Sequence, residues 1–547
     1  MKFFILPILL LLSISSFCQD TLTLKDIPAA ERVIGLQFKQ SERDSLFDDV
    51  KNSAKEYNKM RQYKLDNSVP LSTWQSPVLP GMEFNMKQER VKWNIPSNIS
   101  VPKNKNELAF YSVLELASLI KYKKISSVEL TKFFIARLKK YGDTLQCVIS
   151  LTEDIDMQEA QQADAEIAFG KYRGPLHGIP YGLKDLFAVK GTKTTWGAAP
   201  YKDQRIEEDA FVFTKLKEAG AVLIAKFTLG ALAMGDYWYG GRTKNPWNLN
   251  RGSSGSSAGS TAATVAGLVP FAIGTETLGS IISPATICGA TGLRPTFGSI
   301  SRTGAMALSY SLDKIGPICR SAEDAAVVFN YTHGTDGKDQ AAVNMPFNYT
   351  DKVDLSKMKI AYAKNYFASS DTLGNELKVL EVYRKLGATL IPVDFPDSGV
   401  YNFDIIGPII SAECAAQFDE FTRSELDDMM TMQGKGEWPN QFRSARFIPA
   451  VEYINAYRHR YLLMQKVNSV IKQYDVFICP TWGGEQVRIT NLTGHPALCF
   501  PTGFNKNKLP TNITLVGNLY SEATLLAVAK AFQDATDFNK QHPDLFK

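Results

Sequence analysis

The chain has 547 residues, 44% of them hydrophobic and 21% charged, an ordinary globular composition with ample apolar material for a large core. Its 61 basic and 56 acidic residues leave a formal charge of +5, thin for this length, and no basic run is dense enough to indicate a nucleic-acid partner. Five histidines without H-x-H or H-E-x-x-H spacing, and no C-x-x-C, exclude the common zinc patterns, so no metal is expected.

Residues 1–18 read as an export signal. Lys2 supplies a positive start, Phe3 to Leu12 an apolar stretch, and Ser16 and Cys18 the small residues before a cut at Gln19. The run is too short for a spanning helix, and no other segment is apolar enough to cross a bilayer. The expected product is therefore periplasmic or secreted, without stable membrane insertion once the signal is removed. Lipidation of Cys18 is the alternative, and bulky Phe17 fits it poorly. Cut before Gln19, the chain keeps Cys147, Cys288, Cys319, Cys414, Cys479 and Cys499. These are too few for a disulfide framework in so long a chain, though export leaves individual pairings open.

Residues 19–105 are polar and end in a Pro- and Asn-rich stretch, which predicts a helical arm and linker. The main domain is expected over 106–547. LAFYSVLELASLIKYKK and SVELTKFFIARLKKY place apolar residues at helical spacing, the second with Ser127 as its start signal. QEAQQADAEIAFGK predicts another helix, ended by Gly170. GAVLIAKF, MKIAYA, GATLIPVDF and DVFICPT then read as short buried strands alternating with helical stretches. That alternation predicts an α/β fold, a twisted mixed sheet with helices on both faces.

Between Gly174 and Gly298 the density of Gly, Ser, Thr and Pro is unusual, and suits a backbone that must approach a substrate closely. Three segments stand out: GPLHGIPYGLKDLF (174–187), NPWNLNRGSSGSSAGSTAATVAGLVP (245–270) and FAIGTETLGSIISPATICGATGLRPTFGSISR (271–302). Together, and in this order, they resemble the amidase signature family, and the similarity spans about residues 107–547. DVFICPTWGG and NLTGHPALCFPTGF are similar to that family's late strand and the loop beside its active site.

The resemblance implies amide hydrolysis by a Ser-cisSer-Lys triad without a cofactor. Lys184 in GLKD matches the family's lysine, Ser256 in GSSAGS the serine after a cis peptide bond, and Ser280 in LGSI the nucleophile. The twenty-four residues from Ser256 to Ser280 are the family's interval. Ser257 matches a supporting serine, and the backbone N–H groups of Thr277, Leu278, Gly279 and Ser280 match the oxyanion hole. The chemistry is coherent on its own terms. A serine hydroxyl needs a base within hydrogen-bond reach. Lysine serves only when neutral, which burial can bring about by lowering its ordinary pKa of about 10.4.

The commonest family form reads G-T-D-T-G-G-S-I-R. Here Glu276 replaces the aspartate, Leu278 a glycine and Ile282 the arginine. The G-T-E-T-x-G-S-I form resembles a branch that includes peptide amidases. Leu278 is a hazard if its backbone requires positive φ. Losing the arginine removes a carboxylate anchor and a partner for the acid, which favours neutral or apolar amides over glutamine. Ala258 also replaces a usual glycine. Asp185 and Arg294 read as structural, and the aromatic run Tyr237, Trp238 and Tyr239 as packing before acyl-pocket lining.

Other serine chemistries are weaker fits. S-x-x-K occurs at Ser118–Lys121, Ser311–Lys314 and Ser469–Lys472, but no S-D-N or K-T-G accompanies it. Gly255 to Gly259 is a formal G-x-S-x-G, which in an α/β-hydrolase esterase would make Ser257 the nucleophile and His495 its base. A pseudoenzyme that binds an amide or peptide uncleaved is the third reading. The oligomeric state is open.

Overall fold

Val222–Phe227 is buried at every position, as a strand with neighbours on both sides requires. It belongs to an eleven-stranded mixed sheet in the computed structural model, which describes residues 22–60, 62, 66–69, 75–368, 374–397 and 403–547. The leader and Cys18 lie outside the described residues. In chain order the strands are β1 (Val148–Leu151), β2 (Pro180–Lys184), β3 (Val222–Phe227), β4 (Ala272–Glu276), β5 (Thr291–Arg294), β6 (Lys314–Cys319), β7 (Ile360–Ala363), β8 (Leu390–Val393), β9 (Val476–Pro480), β10 (Ala497–Phe504) and β11 (Pro510–Gly517). Their order across the sheet is β1-β3-β2-β4-β6-β5-β10-β11-β9-β7-β8.

Strands β2, β3 and β4 run parallel to one another, the middle of the sheet is antiparallel from β4 to β9, and β9, β7 and β8 are parallel again. The four runs expected as strands all appear, and helices cover both faces. The chain divides into two compact units, Met1–Leu65 and Asp66–Lys547. The first contains the helices Ile27–Ile34 and Gln40–Met60; the second contains the sheet.

The helix Ser127–Leu145 corrects its expected start. Ser126, not Ser127, is the cap: its hydroxyl accepts the Glu129 N–H at 3.1 Å and the Glu129 carboxylate accepts the Ser126 N–H at 2.9 Å, a capping box. Ser127 is the first helical residue, and its hydroxyl donates to the Gly178 carbonyl. The helix Ala258–Val265 is buried along its whole length, and its small residues are what allow it. A Cβ on Gly259 would lie 2.4 Å from the Cys147 carbonyl oxygen and 2.6 Å from the Thr228 nitrogen. The six described cysteines are all buried and unpaired. Among the described residues no helix is long and apolar enough to cross a membrane.

Candidate active site

Lys184 ends β2 with its side chain fully buried. Its Nζ lies 2.7 Å from Ser256 Oγ, 2.8 Å from Thr275 Oγ1, 3.3 Å from Ser257 Oγ and 3.4 Å from the Thr275 carbonyl oxygen. Every contact is a neutral oxygen. Burial therefore pushes the ammonium down to about 7, against the opposing pull of the more distant Asp313 and Glu276 charges. Thr275 lies inside the G-T-E-T-x-G-S-I motif, where the family resemblance gave it no role; its place on β4, two residues before Thr277, puts both side chains on one face of the strand.

Ser256 follows a cis peptide bond from Gly255, and the adjoining residue connects it to the second serine. The Ser257 N–H donates to the Ser280 carbonyl at 3.1 Å. Ser257 Oγ donates to the Thr275 carbonyl at 3.1 Å and accepts the Thr275 N–H at 3.2 Å. Ser280 sits in the turn before the helix Ile282–Cys288, 9% exposed, and its hydroxyl makes no hydrogen bond to the described residues.

Glu276 shapes that turn. Its carboxylate accepts the N–H groups of Ile281 at 2.9 Å and Ile282 at 3.0 Å, and the Asn491 amide at 2.8 Å. Arg294 of β5 pairs with it at 3.0 Å, both side chains fully buried. Burial alone would raise the Glu276 pKa; the Arg294 and Lys314 charges and these hydrogen bonds bring it down to about 2. The arginine that the commonest motif carries at position 282 is thus not missed as the acid's partner, because Arg294 fills that place.

Within the turn, the N–H groups of Thr277, Leu278, Gly279 and Ser280 donate to no acceptor among the described residues. Gly279 is the residue with positive φ, +79°, and Leu278 is not among the positive-φ positions. The feared conflict at Leu278 therefore does not arise, and its side chain packs at the edge of a hydrophobic cluster. Thr277 Oγ1 donates to Asp313 at 2.6 Å, and the other Asp313 oxygen accepts the Leu308 and Ser309 N–H groups at 2.8 and 2.9 Å.

The amidase family model matches residues 129–490 of the chain. The chain belongs to the amidase signature family. It is 34% identical over 483 residues to a glutamyl-tRNA(Gln) amidotransferase subunit of Coxiella burnetii (strain Dugway 5J108-111), covering 79% of this chain and 99% of that one. The corresponding protein of Geobacillus kaustophilus (strain HTA426) is 33% identical over 482 residues, covering 80% and 99%. Among solved structures, the native peptide amidase from Stenotrophomonas maltophilia superposes with a TM-score of 0.70 at 28% identity, covering 79% of this chain and 98% of that chain. An amidase family protein from Bacillus anthracis str. Ames gives a TM-score of 0.72 at 26% identity, covering 81% and 94%. This amidase is an enzyme that acts on C–N amide bonds.

In this amidase a cavity of about 780 Å³ has Thr275 and Thr277 in its wall but none of Lys184, Ser256 or Ser280; it adjoins the lysine through Thr275, whose Oγ1 lies 2.8 Å from Nζ. The aromatic run is not part of that wall. Trp238 meets Tyr239 edge-on at 4.9 Å, and Arg242 lies over the Tyr237 ring at 4.9 Å, so the packing reading holds. Asp185 is structural as expected: it pairs with Lys226 at 2.8 Å, both fully buried, and accepts the Thr195 N–H.

The esterase alternative finds no geometry here. His495 Nδ1 bonds to Thr493 Oγ1 at 2.8 Å, and no hydrogen bond links it to Ser257 among the described residues. Burial, reinforced by the Arg294 charge, lowers its imidazole to about 3. Among the described residues no group of three or more His, Cys, Asp or Glu side chains could hold a metal ion.

Proposed function

We propose that this amidase hydrolyses neutral or apolar carboxylic amides through an acyl-enzyme on Ser280, with Lys184 as base and Ser256 as proton relay. The observation that carries the reading is the buried Lys184 amine, 2.7 Å from Ser256 Oγ and paired with no carboxylate among the described residues. With its ammonium held down to about 7, the amine has a free lone pair at neutral pH. It accepts the Ser256 proton as Ser256 accepts that of Ser280, and the Ser280 oxygen bonds to the amide carbon. The proton returns by the same route to the departing amine, and water then repeats the sequence on the ester.

Charge developing on the carbonyl oxygen is met by the N–H groups of Thr277 to Ser280, which have no competing acceptor among the described residues. One such donor is worth about 3–4 kcal/mol of barrier. Ser257 holds Ser280 and Thr275 in register. Ile282 in place of an arginine, and a cavity wall carrying Leu186, Met306, Leu308 and Ile315, support an apolar substituent over a free amino-acid amide. The Coxiella relative is by name part of an amidotransferase. The signal read over residues 1–18 supports water as the acceptor in this chain, because export separates it from charged tRNA.

The test is a panel of peptide amides, fatty amides, aryl amides and glutamine, offered to the purified mature chain and to Ser280→Ala. Hydrolysis of apolar amides by the first and not the second is expected. Preference for glutamine contradicts the substrate reading, and unchanged turnover in Ser280→Ala contradicts the mechanism.

A further inference from the structure

The cavity beside Thr277 is walled in part by residues far outside the family-matched region, which begins at 129. Asn67, Ser68 and Gln75 line it. Asn67 is held there at both ends of its amide: Nδ2 donates to the Ala307 carbonyl at 3.0 Å and Oδ1 accepts the Ala307 N–H at 2.8 Å. The Tyr310 hydroxyl adds a bond to the Asn67 carbonyl at 3.0 Å and another to that of Val69. Two amide bonds to one backbone residue mimic a strand pair and fix the segment against the loop it covers.

That loop carries three of the apolar residues of the cavity, Ala305, Met306 and Leu308, before it reaches Asp313 and its bond to Thr277. One cavity therefore joins Thr277 of the reacting turn to a segment that hydrogen-bonds to none of Lys184, Ser256 or Ser280, along a wall that mixes these apolar residues with Arg302, Lys338 and Asp339. A volume of about 780 Å³ far exceeds what a small amide fills and suits an extended one.

We infer that Asn67 and Ser68 complete the substrate cavity from outside the family's common core and set the length of the apolar substituent that the amide can carry. This rests on the catalytic reading above and adds to it a specificity determinant peculiar to the chain's own amino-terminal stretch. Asn67 is a positioning residue, since it shapes the wall through Ala307; Ser68 is exposed, so a larger side chain is accommodated without disturbing the core.

The experiment measures kcat/KM for two series, acyl p-nitroanilides from acetyl to decanoyl and N-alkyl acetamides from methyl to decyl, with the wild type, Asn67→Ala and Ser68→Trp. In at least one series the ratio of long to short substrate is expected to fall by about tenfold in each variant, a discrimination that pocket contacts of this size achieve. The series that moves tells whether the acyl or the amine side faces Asn67. Ratios that stay at the wild-type value in both series, or a parallel loss for long and short substrates, overturn the inference. Ser68→Trp keeps the test open if Asn67→Ala does not fold. Labelling of wild-type Ser280 by a fluorophosphonate reports separately: a labelled enzyme with unmoved ratios sinks this inference alone, and an unlabelled one sinks the catalytic reading beneath it.

Discussion

Glu276 and Arg294 form an ion pair 3.0 Å apart in which neither side chain reaches solvent. The same carboxylate fixes the Ile281 and Ile282 N–H groups, so the pair braces the turn that presents Ser280. Removing one partner leaves a buried charge unmatched, at a cost of about 3–5 kcal/mol. Arg294→Met is therefore expected to lower the urea midpoint of unfolding substantially, with slower turnover in whatever enzyme remains folded. A midpoint within error of the wild type contradicts this. The pH sign follows from a folded pKa lowered from 4.5 to about 2. The stabilisation is complete above the unfolded value and disappears as pH falls through about 2.

Lys184 gives a dependence of the same sign at higher pH. Its folded pKa is lowered from 10.5 to about 7, and the proposed base is the neutral form. Below about pH 7 each pH unit should cost about tenfold in kcat/KM, with a plateau above it. Stability runs the same way: the unfolded lysine holds its proton until about pH 10.4, so between 7 and that value unfolding takes up a proton and stability rises with pH. A profile of kcat/KM flat from pH 5 to 9 contradicts a lysine base.

Thr277 and Asp313 offer a test of the turn itself. Their hydrogen bond of 2.6 Å holds the first N–H of the proposed oxyanion site. A hydrogen bond to a charged group is worth about 1.5–3 kcal/mol, so Thr277→Val should lower kcat by about tenfold or more, with KM moving less. Steady-state kinetics on one apolar amide decide it. An unchanged kcat removes Asp313 from the account.

His495 discriminates between serine chemistries. Its ring bonds to Thr493, and the proposed mechanism does not use it. His495→Asn, which keeps a polar atom near the Nδ1 position, should retain most of its activity once corrected for folded protein. A loss of about a thousandfold or more, the size of effect seen when a catalytic base is removed, favours the G-x-S-x-G reading.

What the sequence exposes here depends on how local the signal is. Lys184, Ser256 and Ser280 each sit in a Gly-rich segment at a fixed interval, and the fold brings these three segments to one place. The strands Val222–Phe227, Ile360–Ala363, Leu390–Val393 and Val476–Pro480 are legible as short apolar runs for the same local reason. Asp313 and Asn67 lie in unremarkable stretches, and Asn491 opens a segment legible only as lying beside the active site; their bonds to Thr277, Ala307 and Glu276 span dozens or hundreds of residues, which no periodicity records. The concern over Leu278 misplaced the conformational demand by one residue: the turn needs its positive φ at Gly279. Arg294 reads as structural without its partner, because nothing along the chain says that β5 lies close enough to Glu276 for the two to pair.

The most direct test of the central claim is the rate at which a fluorophosphonate modifies Ser280, followed by mass spectrometry of the labelled peptide. The account predicts labelling on Ser280 in the wild type at pH 8, slowed by about a hundredfold or more in Lys184→Ala with the circular dichroism spectrum preserved. Equal labelling rates in the two proteins, or label recovered on Ser257 instead, would contradict it.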